Sequence, residues 1–138
     1  MRLEHVCDIA LGYRDDFVLV RPYGGEEGAG YGELHGTATG ERLAGLVRAV
    51  NHPRRRGDGA MLPDLHGLIE TTDGARVLFS ARGRTSFGSD RRGRQTLLFT
   101  FEAEDGRYRW LNDLLCIYEG IIEMPLGRGR VYACVNEL

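Results

Sequence analysis

Phe101-Glu102-Ala103-Glu104-Asp105-Gly106-Arg107-Tyr108-Arg109-Trp110-Leu111-Asn112-Asp113 joins two apolar runs, Leu97 to Phe101 and Leu114 to Tyr118. The first run ends in an acidic turn, a short helical turn carrying the only Trp follows, and the second run then begins. Each run is strand-length and alternates: Leu97, Phe99 and Phe101 share one side, while Thr96, Leu98, Thr100 and Glu102 share the other. A Trp between two such strands, flanked by Tyr108 and Asn112, is expected to plug the place where the strands meet a cavity.

Working outward, the same pattern recurs. Thr72-Asp73-Gly74-Ala75 turns Asp64–Thr71 into the strand Arg76–Arg84, and Asp-Gly is a strong hairpin signal, so these two strands are expected to be antiparallel neighbours. Leu3–Ala10 and Phe17–Val20 read as a first hairpin, Arg42–Val50 as another strand, and Val131–Val135 as the last, after a turn over Pro125–Gly129. Pro22–Gly30 reads as a flexible Gly-rich loop. The count is about eight or nine short strands with almost no helical periodicity, which predicts an all-β, closed antiparallel β-barrel occupying residues 1–138 as one domain.

Gly30-x-Gly32 superficially resembles a dinucleotide-binding loop. That chemistry needs a preceding parallel strand and a following helix, whereas another strand-like run follows here, so bends or close backbone approaches are the better reading of these glycines. Arg54-Arg55-Arg56 could grip a phosphate or carboxylate through guanidinium forks, but three successive side chains in a loop seldom converge.

Composition narrows the functional classes. The formal net charge of −2 lacks the basic footprint of a nucleic-acid binder; separately, every Lys/Arg position is Arg. Cys7, Cys116 and Cys134 are odd in number and widely spaced, arguing for free thiols in a reducing cytoplasm rather than a disulfide framework or zinc ribbon. No signal-peptide pattern and no bilayer-length apolar stretch is present, so no membrane partner is expected. No cofactor motif is recognisable, and the four His lack metal-ligand spacing.

Phe101-Glu102 followed after five residues by Tyr108-x-Trp110-Leu111-Asn112, with Thr71-x-Asp73-Gly74-Ala75 upstream and Val131-Tyr132 near the end, resembles the family catalogued as domain of unknown function 3237. The resemblance implies a single closed barrel of the calycin-like type and brings no established activity with it. The family pattern carries an Asp-x-Arg element before its Thr-x-Asp-Gly turn. Here it is matched by Asp64, with His66 in place of the Arg, which exchanges a permanent cation for a group that titrates near neutrality.

Asp64 and His66 share one strand phase, and Arg82 and Arg84 share one phase on the adjoining strand. If these phases face the lumen, the four groups make a polar cluster at a barrel mouth. His66 would then be a proton shuttle and Asp64 its partner, with Arg82, Arg84, Glu102, Tyr108, Trp110 and Asn112 as ligand-binding residues. If they face outward they are ordinary surface. Three functions stay open at this point: a barrel binding a small organic ligand, carboxylated or aromatic; a cofactor-independent lyase, isomerase or cyclase in the same cavity; and a packed structural barrel. In the last, outer positions such as Ile117, Ile121 and Ile122 would bury themselves in a homodimer.

Overall fold

The computed structural model describes residues 1–21 and 27–138, so most of the Gly-rich stretch read as a flexible loop lies outside the described residues. Among the described residues eleven strands form one antiparallel sheet: β1 (Arg2–Tyr13), β2 (Val18–Val20), β3 (Gly28–Thr39), β4 (Gly45–Asn51), β5 (Arg54–Arg55), β6 (Met61–Leu62), β7 (Asp64–Thr71), β8 (Arg76–Phe87), β9 (Gly93–Ala103), β10 (Cys116–Glu123) and β11 (Leu126–Val135). Eight of them close a ring in the order β1-β11-β10-β9-β8-β7-β4-β3 and back to β1. The Asp-Gly hairpin is present, with Gly74 at a φ of 89° that its missing Cβ permits. The expected first hairpin is not. β1 pairs with β11 and β3, and β2 pairs with β3 instead, because β1 is the strand that closes the ring.

Inward positions follow the period of two. Ile9, Leu34, Val47, Ile69, Val77, Phe99 and Val131 are buried inside the ring, and Phe79 stacks on Phe99 at 4.9 Å between centroids. A bulge between His5 and Cys7 breaks the alternation in β1, so that the consecutive residues Val6 and Cys7 both enter the core. The glycine readings resolve as close approaches. Rings of Phe17 and Tyr13 occupy the space a Cβ would need at Gly30 and Gly32, and a Cβ at Gly36 would overlap the Ala10 carbonyl.

The two ends of the ring differ. At one, a 3-10 turn (Arg109–Asp113) folds across the opening and buries Leu111 completely, alongside buried Tyr108 and Leu43. Asn112 fastens this turn: its Oδ1 accepts the Ala103 N–H at 2.6 Å, and its Nδ2 donates to the Ala103 carbonyl at 2.9 Å, as a neighbouring strand would. Arg42 lies over the Trp110 ring, 3.7 Å from its centroid. At the other end, β4 stops before Pro53 and β7 starts after Pro63, residues with no N–H to continue the ladder. The short β5–β6 hairpin between them carries both strands past the prolines in unchanged register, still paired to β3 and β8. That end stays open.

Candidate functional site

The predicted cluster forms, but on the outside. Arg82 Nε donates to Asp64 Oδ1 at 2.9 Å and His66 Nε2 lies 3.2 Å from the same oxygen. The His66 and Arg82 side chains are 58% and 67% exposed. The cause is phase: Leu65 and Ile69 take the inward positions of β7, which turns Asp64 and His66 to solvent. Arg84 and Glu102 point outward for the same reason, Arg84 donating to the Gly83 carbonyl and Glu102 standing opposite Leu78.

Tyr108, Trp110 and Asn112 are brought together, but at the closed end. Tyr108 donates to Asp73 Oδ1 at 2.7 Å, and Arg107 reaches the other Asp73 oxygen at 3.1 Å. Hydrogen bonds from Thr71 and Tyr108 hold the Asp73 carboxyl below its ordinary range, and Arg107 holds Asp105 down at about 2. These residues stopper the ring and bear on stability. Thus none of the eight predicted site residues lines the open end. Of the proposed dimer positions, Ile117 and Ile121 lie on the outer face, whereas Ile122 faces inward.

The cavity is at the open end. A mouth of about 300 Å³, walled by Phe17, Pro53, Met61, Phe87 and Met124, runs into the ring. It continues as a narrower chamber of about 50 Å³ floored by Leu65, Phe79, Phe99 and Tyr118. Tyr13, Asn51, Gln95 and Ile122 belong to both and form the throat. Two polar pairs sit there. Asn51 Nδ2 donates to Tyr13 Oη at 3.0 Å while Asn51 Oδ1 accepts the Asp64 backbone N–H at 3.1 Å, and Gln95 Nε2 donates to Thr85 Oγ1 at 2.9 Å. Burial pushes the Tyr13 phenol above its ordinary range, outweighing the Asn51 hydrogen bond, so the hydroxyl keeps its proton at neutral pH.

On the rim the triple Arg divides as expected for successive residues. Arg54 is tied to Glu27 at 2.6 Å and Arg56 to Asp58 at 2.7 Å, while Arg55 lines the mouth. The sequence reading missed this throat, although a signal for it exists. Inward apolar phases end in a polar residue at the same end of the ring: Val47 and Ala49 in Asn51, Val77 to Ala81 in Thr85, Phe101 to Leu97 in Gln95, and Ile9 and Leu11 in Tyr13.

A larger concavity of about 720 Å³ lies outside the ring, over Asp8, Thr37, Thr39, Arg94 and Arg128. Its floor is an outer strand face on which Asp8 is paired with His5 and Arg94 with Asp90. Among the described residues no three His, Cys, Asp or Glu side chains group as metal ligands. Burial pushes the thiols of Cys7 and Cys116 up to about 12, which makes them inert core side chains.

A closed ring of eight antiparallel strands, stoppered at one end and hollowed at the other, defines the chain as a β-barrel-like protein. It is similar over 96% of its length to a β-barrel-like protein from Acinetobacter baumannii AYE (94% of that chain, TM-score 0.86, 15% identity). It is likewise similar over 98% of its length to a conserved protein of unknown function from Rhodopseudomonas palustris (99% of that chain, TM-score 0.85, 18% identity). An enzyme from Penicillium herquei matches over 94% of the chain (93% of that chain, TM-score 0.71, 19% identity). At these identities the likeness is one of fold. No protein-family model and no curated protein matches the chain. Among the described residues no helix is long and apolar enough to cross a membrane.

Proposed function

We propose that this protein is a calycin-like barrel that binds a small organic molecule in the cavity at its open end. The observation that carries the reading is the throat: apolar walls leading inward to two hydrogen-bonded polar pairs, Tyr13–Asn51 and Thr85–Gln95. Mostly apolar concavities with a few fixed polar groups are where small ligands bind, and a ring of eight strands has room for one. The site proposed here replaces the Asp64–His66 cluster, neither residue of which lines any of the three cavities described above.

The test is a thermal-shift screen of small aromatic carboxylates, phenols and ketones against the natural sequence and Ile122→Trp. A ligand that binds only the folded state raises the melting temperature. The indole of Ile122→Trp would fill the throat and abolish those shifts, with Met124→Trp at the rim as a second variant should the first not fold. Shifts that survive in a folded throat-filled variant place binding elsewhere and overturn the proposal.

A further inference from the structure

The throat has a direction of hydrogen bonding that selects its ligand. Asn51 cannot turn its amide over, because Oδ1 must accept the N–H of Asp64, a backbone donor with no alternative role. Nδ2 therefore faces Tyr13 and donates to its oxygen. The Tyr13 proton is left out of that bond, and among the described residues it has no other acceptor. At the second pair Gln95 Nε2 donates to Thr85 Oγ1, but among the described residues no bond fixes the Gln95 amide, so this pair can turn either a donor or an acceptor to the cavity. One hydroxyl donor of fixed direction, Tyr13, thus faces a cavity whose described lining includes no Asp or Glu, and whose rim carries the guanidinium of Arg55.

We infer that the ligand is an apolar, aromatic or alicyclic oxo acid: a carbonyl oxygen turned inward to accept from Tyr13, and a carboxylate turned outward toward Arg55. This rests on the proposal that the open end binds a small molecule, and it adds which atoms the ligand must carry. A phenol or amine turned inward would meet the Tyr13 proton and lose the bond its own proton makes in water. A second carboxylate at the inner end would lose its hydration among Leu65, Phe79 and Phe99 with no cation to meet it.

Three probes separate the parts: 4-acetylbenzoate carries both groups, benzoate only the carboxylate, and acetophenone only the carbonyl. Dissociation constants are read by ligand-observed NMR. The natural protein should bind 4-acetylbenzoate more tightly than either fragment. Tyr13→Phe should weaken 4-acetylbenzoate and acetophenone about fivefold while changing benzoate less than about twofold, as expected for one neutral hydrogen bond. Arg55→Gln should weaken both carboxylates about threefold and leave acetophenone unchanged, as expected for an ion pair open to water. Asn51→Asp is the second route to the Tyr13 result if Tyr13→Phe does not fold. If the three probes bind, Ile122→Trp displaces them, and neither variant changes their order, the oxo-acid assignment is overturned while the cavity reading stands. If no probe binds, or Ile122→Trp changes nothing, both fall.

Discussion

Asn51→Asp is the smallest change that reverses the throat's polarity, since it exchanges one NH2 for an oxygen at a residue only 6% exposed. The Asp64 N–H keeps its acceptor, so the β4–β7 register is untouched. What changes is the bond to Tyr13, 3.0 Å long and now facing a carboxylate. Tyr13 must turn its proton toward the new group, leaving only lone pairs for a ligand. Acetophenone, which does not titrate, should then lose a donor worth about 0.5–1.5 kcal/mol, or roughly two- to tenfold in affinity.

The same change costs stability, because burial disfavours the charged form and raises the carboxyl's folded pKa above its unfolded value. The deficit is therefore absent well below the unfolded pKa and develops as pH rises through the folded one. At neutral pH we expect about 1–3 kcal/mol, read as a melting temperature roughly 3–9 °C below that of the natural sequence. Acidification should close the gap. It should also restore acetophenone binding, since a protonated carboxyl can donate to Tyr13 Oη as the amide did. Thermal melts and acetophenone titrations from pH 7 to pH 4 test both arms together. Unchanged acetophenone affinity at neutral pH, in a variant shown to be folded, would refute the assigned proton direction.

Leu111→Ala empties a fully buried position under the 3-10 turn and should cost about 2–5 kcal/mol in urea unfolding, without altering probe affinity at the far end of the ring. Asp105, held down at about 2 by Arg107, favours the folded state above its unfolded pKa, and that contribution is lost as pH falls from about 4 toward 2. Asp105→Asn should flatten that part of the melting-temperature profile, and an unaltered slope would count against the Arg107 pairing. His66→Ala and Asp64→Ala remove exposed partners of a surface cluster, worth about 0–1 kcal/mol. Neither should weaken acetophenone more than about twofold, and a larger loss measured by titration would return the site to β7.

How far the sequence was legible depends on which physical constraint governs each level. Strand identity is local: the alternation in Gln95–Glu102 and the Asp73-Gly74 turn specify β9 and the β7–β8 hairpin with no knowledge of the rest. Ring closure is not local. Nothing in Arg2–Tyr13 says that its partners are β11 and β3, so proximity along the chain favours the nearest later run, Phe17–Val20, which pairs with β3 instead. The site failed at phase. Asp64 and His66 lie between apolar neighbours in a strand where Leu65, Gly67 and Ile69 compete with Asp64, His66 and Leu68 for the inside, and only the larger buried set decides it. The chemistry-bearing residues of β7 lie on its outer face. The throat is built from Tyr13, Asn51, Thr85 and Gln95, side chains that look unremarkable until their strands are aligned.

The asymmetry between the ends follows from what fills an interior of fixed width. Eight strands leave a bore that side chains can just close, so where inward positions carry Leu, Ile, Val or Phe the bore is solid. Toward the open end the inward positions shrink or turn polar: Gly93 and Gly127 contribute no side chain, and Thr85 and Asn51 contribute short ones. The Tyr13 and Phe17 rings press onto Gly30 and Gly32, lining the wall rather than crossing the bore. Pro53 and Pro63 interrupt the β4–β7 ladder, and the β5–β6 hairpin carries it on in the same register, extending the wall around a mouth of about 300 Å³. A packed structural barrel would need large inward residues at this end too. Their replacement by glycine and by hydrogen-bonded polar pairs is what a cavity kept open for a ligand requires, and it is why Ile122→Trp, which restores bulk to the throat, separates the two readings.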